Sequence, residues 1–294
     1  MTEAVSRRGL SWGASTLGCA ELSLPEICEL FHAFNLRELE IRAVDGRMDL
    51  PQWSADKGWM PLRATALLAH HRIQLRVAGS SFKLVGNDEK SRAEMLAFCQ
   101  WADSWGAPYV RAFGGGAWGH PLNEADYAQA AQTVAWWQQE KKRHGWRIEL
   151  LLETHDGFSA SGPCRELFAR LREPIGIIWD SHHTWRLGGE SPRESWSQLS
   201  KWIRHVHVKD SIAKPSARHP YTYVLPGDGE MPLGQIVNLL AEHQFAGAVS
   251  LEWERLWHPY LPPLREALTR LEAQPWFVGS VKAVNEHQSP AITR

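Results

Sequence analysis

Short runs rich in Ile, Val and Leu recur along the chain, each followed by a longer stretch in which apolar residues return at helical spacing. The strand-like runs are LSWGAST (10–16), RELEIRA (37–43), RIQLRVAG (72–79), PYVRAFGG (108–115), RIELLLETH (147–155), IGIIWDSH (175–182), IRHVHVKD (203–210) and AVSLEWE (248–254). Helix signals fall between them. Ser23-Leu-Pro-Glu26 is a capping box, after which Ile27, Leu30, Phe31 and Phe34 share one face. A further helix is predicted from about Asn123 to Lys142, ending at Gly145 as a glycine C-cap. Strands alternating with helices mean a parallel sheet, and eight such units in 294 residues predict a single-domain α/β fold, the (β/α)8 TIM barrel. A doubly wound open sheet is the alternative, but no strand leads into a G-x-G-x-x-G; Gly114-Gly115-Gly116 lacks that spacing. One domain is expected over 1–294, with its core at about 10–275 and a polar tail after about Val281.

Composition narrows the partners. Hydrophobic residues make up 44% and charged residues 22%, enough for a large core, while the net charge of −1 supplies no global field for nucleic acid or an anionic membrane. The N-terminus lacks an apolar signal region and no run of about 18 apolar residues occurs, so a soluble cytoplasmic protein is expected. Cys19, Cys28, Cys99 and Cys164 form no C-x-x-C pair and are expected reduced, with Cys28 and Cys99 at packed helix positions. Trp136-Trp137, two of sixteen tryptophans, suit a helix with one ring in the core and one partly exposed.

RHVHVKD (204–210) changes the picture. In a strand, side chains alternate faces, so His205, His207 and Lys209 share a face opposite Val206 and Val208. A barrel strand that points polar groups inward invites a search of the other strand ends. Glu153, Asp180, His207 and Glu252 close the last four strands, separated by 27, 27 and 45 residues. The equal steps predict one common height, and the longer step matches an enlarged loop at 211–230. Singly, each residue would be a solvated or paired strand-end group. Together, three carboxylates and an imidazole on one point repel unless a cation lies among them, so a metal site is expected. Its oxygen-rich donor set suits one divalent ion, Mn²⁺ or Mg²⁺, with Zn²⁺ or Co²⁺ also accommodated. His205, one step deeper, is expected to support the site rather than bind the ion.

VRAFGG (110–115), LETHDG (152–157), IIWDSHH (177–183), HVHVKD (205–210), LPGDGEMPL (225–233) and SLEWE (250–254) resemble the xylose isomerase-like TIM barrels, a superfamily of sugar epimerases, sugar-phosphate isomerases and related dehydratases. The resemblance runs from WGAST to about Leu271. It implies that Glu153, Asp180, His207 and Glu252 bind one metal, and that Glu153 and Glu252 also exchange protons with carbon in a metal-stabilised enediolate mechanism. A sugar (or sugar-phosphate) isomerase or epimerase follows, with a dehydratase as the alternative reaction. His183, the end of the D-x-x-H, matches a substrate-binding histidine of the family, and His155, Arg111 and Lys209 are expected to orient substrate oxygens. For Arg111, an internal salt bridge with Glu40 is an equal expectation. Lys214, Arg218 and His219 in the 211–230 loop either hold a phosphate or coat a lid. The expected partner is a small sugar or polyol, in a chain that acts alone or as two or four copies. Endonuclease IV-like enzymes share the D-x-x-H but need histidines at the ends of strands three and four, which LRVAG and RAFGG lack. A sugar-binding protein without catalysis is disfavoured because every ligand and both bases are present.

Overall fold

The computed structural model describes residues 9–116 and 120–277, and the polar tail expected after Val281 lies outside them. Eight parallel strands close into a barrel: β1 (Ser11–Ser15), β2 (Glu38–Ile41), β3 (Gln74–Lys83), β4 (Tyr109–Phe113), β5 (Glu149–Glu153), β6 (Gly176–Asp180), β7 (Ile203–Val208) and β10 (Ala248–Leu251), with β1 pairing both β2 and β10. Each lies within or across a strand predicted from the hydrophobic pattern. Boundaries move for physical reasons. β6 stops at Asp180 because the Asp180 carboxylate accepts the backbone N–H of His183 and caps a short helix, α7 (Ser181–Arg186), so Ser181 and His182 are helical rather than extended. β3 runs past Gly79 to Lys83, and β10 ends at Leu251, before Glu252.

The remaining helices are α1 (Leu24–Ala33), α2 (Leu50–Asp56), α3 (Pro61–His70), α4 (Glu89–Ser104), α5 (Glu124–His144), α6 (Ser161–Arg170), α8 (Pro192–Leu199), α9 (Leu233–Glu242) and α10 (Leu264–Glu272). The capping box that starts α1 is formed, with the Ser23 N–H donating to Glu26 at 2.8 Å. Gly145 ends α5 at φ +68°, a left-handed conformation that costs glycine little. In α5, Trp137 is buried and Trp136 half-buried. All four cysteines are free and buried, Cys28 on α1 and Cys99 on α4.

The period of two places two cores. Residues such as Val206 and Val208 point outward under the helices and join the main apolar core. Inside the barrel, Val77, Leu151 and Ile178 form a small separate apolar layer. Two residues further along β5 and β6, on the same inner face, stand Glu153 and Asp180. Across the strands Glu153 faces Ile178, whereas Asp180 faces His207 and Ser250 faces His207. The acids therefore step along successive strands, as the stagger of a closed barrel requires.

The enlarged loop expected at 211–230 contains regular structure. It contains an antiparallel hairpin, β8 (Asp210–Ile212) with β9 (Thr222–Val224), folded over the barrel mouth. Asp210 anchors it: its buried carboxylate accepts the backbone N–H groups of Ser211, Gly227, Gly229 and Met231 at 2.9–3.0 Å. This explains why an aspartate follows Lys209 and why glycines flank Asp228. Replacing Asp210 with Ala would leave those donors unmatched, so Asp210→Ala is expected to cost about 3 kcal/mol of stability. Urea unfolding would measure it, with hydrogen exchange accelerated first at 225–231; a change below about 1 kcal/mol would contradict the anchoring role.

Candidate metal centre and active-site cavity

Glu153, Asp180, His207 and Glu252 converge. Each offers a ligand atom, these atoms lie within 4.8 Å of one another, and all four residues are buried. The His207 Nδ1 stands 3.6 Å from Glu153 Oε1, 3.9 Å from Asp180 Oδ2 and 3.3 Å from Glu252 Oε2. Glu153 Oε2, Asp180 Oδ2 and His207 Nδ1 are buried without a hydrogen bond. Glu153 Oε2 and Asp180 Oδ2 have only ion-pair neighbours, Arg111 and Lys209, and His207 Nδ1 has no acid oxygen nearer than 3.3 Å; a hard cation held by these atoms would satisfy them together. The residues present fit such an ion.

The orientation of His207 comes from across the barrel. Its Nε2 donates to Glu40 Oε2 at 2.7 Å, which leaves Nδ1 as the atom aimed at the acids. His205 reaches the same Glu40 oxygen at 3.0 Å and stays out of the four-residue cluster. Glu40 was legible as an inward residue of β2, since Glu38 and Glu40 share a face, but its partners 165 and 167 residues away were not.

Two resident cations hold the acids together. Arg111 Nη1 lies 3.0 Å from Glu153 Oε2, 3.5 Å from Glu252 Oε1 and 3.9 Å from Glu40 Oε1. The expected salt bridge between Arg111 and Glu40 is present, with a closer contact to Glu153, and Arg111 also lines the cavity. Lys209 Nζ contacts Asp180 Oδ2 at 2.7 Å, Glu252 Oε2 at 2.5 Å and Glu254 Oε1 at 2.7 Å. An ammonium has three N–H donors, so the acids occupy it. Glu254, two residues past Glu252 and on the same face, also accepts the Tyr223 hydroxyl at 2.8 Å and ties the hairpin to the barrel.

The charges follow from these contacts. Burial pushes the Asp180 carboxyl up, but the charges of Lys209 and His207 outweigh it and hold it well below the usual range. Burial likewise opposes ionisation of Glu252, and His207 and Lys209 reverse the balance. For His207 burial disfavours the imidazolium, yet Glu252 and Glu40 raise its pKa well above the ordinary value. Negative surroundings that attract a proton to Nδ1 also attract a metal ion, which would displace that proton.

Above the cluster opens a cavity of about 430 Å³, within the range of small-molecule sites. Glu153, Glu252, Arg111 and His155 line it, with Arg42, Lys83 and the loop residues Arg218 and His219 around the rim. His155 packs against Phe113 and stands edge-on to His183, with ring centroids 4.6 and 4.8 Å apart. His183 is buried beneath it, 3.0 Å from the Thr154 carbonyl through Nδ1, and burial drives its pKa well down, so the ring is neutral. Lys214 lies exposed and away from the cavity lining.

Comparison with known proteins agrees with this architecture. The family model described as "Xylose isomerase-like TIM barrel" matches residues 34–274. The C-glycoside deglycosidase alpha subunit of Arthrobacter globiformis is 29% identical over 134 residues, covering 40% of this chain and 34% of that protein. The match therefore spans about a third of that relative's length. Among solved structures, the probable 3-DHS dehydratase AsbF of Bacillus anthracis superposes with a TM-score of 0.74 at 16% identity, over 90% of this chain and 99% of that one. The IOLI protein with a binding zinc atom gives 0.69 at 20%, over 89% and 95%. D-Allulose 3-epimerase from Methylomonas sp., in complex with D-allulose, gives 0.61 at 14%, over 83% and 84%. At such identities the structures establish the fold alone. Among the described residues, no helix is long and apolar enough to cross a membrane. With a closed eight-stranded barrel and a family match over most of its length, the chain belongs to the xylose isomerase-like TIM barrel family.

Proposed function

We propose that the protein is a divalent-metal-dependent enzyme that removes a proton from carbon beside a carbonyl in a sugar or polyol, and returns it to isomerise or epimerise the substrate. One observation carries this reading: two buried glutamates, Glu153 and Glu252, belong to a four-residue metal-ligand cluster and also line the same cavity. A bound Mn²⁺ or Mg²⁺, or Zn²⁺ in their place, would supply Lewis-acid stabilisation for adjacent carbonyl and hydroxyl oxygens. Glu153, Asp180, His207 and Glu252 would hold it.

The remaining work falls to the chain. Abstraction of an α-proton needs a carboxylate that is ionised and dry. Burial and the cations Lys209 and Arg111 provide both conditions, since Lys209 keeps Glu252 charged and Arg111 spans Glu153 and Glu252. With a base at either end of the Arg111 contact, a proton can leave one face of the carbon and return to the other. His155, Arg111 and, through its Nε2, His183 would orient substrate oxygens; Lys209 acts by holding Asp180 and Glu252. The hairpin over the mouth would limit water near the reacting carbon.

Elimination is the second reading. A structural relative is named as a probable dehydratase, and elimination is the reaction that name describes for that protein. Loss of a β-substituent begins with the same α-deprotonation, so the two readings share the first step and diverge at the fate of the electron pair.

The metal assignment predicts one divalent ion per chain, lost in His207→Ala and retained in His205→Asn. Elemental analysis after desalting checks this. The opposite pattern would mean that β7 presents the wrong histidine. For the bases, Glu153→Gln and Glu252→Gln keep an oxygen donor while removing the proton acceptor, so turnover should fall by about 10² or more. Exchange of substrate α-protons in deuterated water distinguishes the readings: each variant should block exchange from one epimer in a two-base enzyme, and only one variant should block it in an elimination. Full exchange in both variants would remove the glutamates from the chemistry.

A further inference from the structure

Arg42, the residue after β2, is built into the wall of the cavity above the metal-ligand cluster. Its backbone N–H donates to Thr16 Oγ1 at 2.8 Å, which fixes the strand end. The side chain then runs beside Gly79 of β3, where an added Cβ would lie 2.9 Å from the Arg42 Cδ. Arg42 is only 5% exposed, yet among the described residues its side chain makes one hydrogen bond, from Nη2 to Ser81 Oγ at 2.5 Å, and no ion pair. A guanidinium carries five N–H donors, so most of these are unused. Arg218, between β8 and β9, lines the same cavity, is exposed, and has neither a hydrogen bond nor an ion pair among the described residues. The carboxylates of the lining are already matched: Glu153 lies 3.0 Å from Arg111, and Lys209 holds Glu252 at 2.5 Å and Glu254 at 2.7 Å. Lys83, a further cation of the lining, stands 3.8 Å from Asp156. The cavity thus has paired charge over the cluster and two arginines without a counter-ion.

We infer that the substrate carries an oxyanion, a carboxylate or a phosphate, and that Arg42 receives it together with Arg218. The sugar or polyol part of this ligand rests on the proposed function; the anionic group rests on the two arginines. A buried cation without a counter-charge is costly to keep, and a substrate anion would supply that charge. Burial and the nearby Arg111 pull the Arg42 pKa down to about 9, against the longer-range influence of Glu153, Glu40 and Glu252, so the group is still charged at neutral pH. A neutral hydroxyl could accept from its donors but would leave the charge uncompensated. Carboxylate and phosphate match the planar fork of a guanidinium with two parallel hydrogen bonds, which a lysine in this place could not offer. The glutamates over the cluster would repel an anion placed against them. The anionic end therefore belongs beside the arginines and the carbon skeleton beside Glu153 and Glu252.

Titration calorimetry on Mg²⁺-loaded protein tests this with pairs that differ in one anionic group: D-glucose and D-glucuronate, D-galactose and D-galacturonate, D-fructose and D-fructose 6-phosphate, D-ribulose and D-ribulose 5-phosphate. The anionic member of at least one pair should bind about tenfold more tightly than its neutral partner. A preference confined to the uronates would identify a carboxylate, and one confined to the phosphates a phosphate. Arg42→Gln should bring the ratio to about one, and Arg218→Gln should reduce it by about threefold. Thermal melting followed by circular dichroism checks the fold of both. Arg218→Gln changes an exposed loop residue and decides alone if Arg42→Gln does not fold. Absence of an anion preference in every pair, including absence of binding, overturns the inference. So does a preference that keeps its full size in either variant, the result expected if the anion sits on the metal instead. Deuterium exchange into ketoses reports the reaction separately. Its failure beside an arginine-dependent anion preference would reject the proposed reaction and keep the subsite, and the reverse pattern would reject the subsite alone.

Discussion

Mutual repulsion among buried carboxylates is the constraint around which this barrel is arranged. Glu40, Glu153, Asp180 and Glu252 are all removed from water at one end of the barrel, with Glu254 beside them. Unpaired, any one of them would cost several kcal/mol to bury. The remedy is distributed: Arg111 from β4 spans three of the acids, Lys209 after β7 spans two and Glu254, and His207 lies between Glu40 and the rest. None of these cations belongs to the strand it neutralises. The closed barrel is thus a precondition for the charge balance, and the charge balance fixes where each acid can point.

That arrangement also explains the division between what the chain's pattern revealed and what it concealed. The eight strands were legible because apolar runs alternate with helical ones, and the convergence of Glu153, Asp180, His207 and Glu252 because each lies at or just past the end of one of four neighbouring strands. Glu254, two residues past Glu252 and beyond the end of β10, was not picked out. Local pattern also fails where the partner is remote: nothing local in ELEI tells that Glu40 serves His205 and His207. The hairpin β8–β9 was hidden for a different reason. Its strands have three residues each, too few for alternation to show, and its fixed point is Asp210, which binds backbone rather than side chains and so leaves little pattern.

The site is also a compromise between rigidity and access. Lys209 is consumed by its acidic neighbours, and His183 is neutral and buried, so neither is a freely moving contact for a substrate. Farther from the cluster, the cavity is lined by His155, Arg42, Arg218 and His219. On the proposed reading, chemistry would be set by the inner layer, which the fold fixes, and selectivity by the rim, which comes from loops and strand ends.

Glu40 has one more implication, which concerns synthesis rather than catalysis. It is made early, on the second strand, and its histidine partners emerge more than 160 residues later. β10, which pairs with β1 to complete the barrel, comes later still. While the chain is being made, Glu40 and Glu153 exist before His207, which in the finished barrel stands beside both. An N-terminal half barrel cannot bury these carboxylates cheaply, so the partly made chain has reason to keep them hydrated until the last strand arrives. The acids that crowd the finished centre thereby discourage premature collapse of the unfinished one.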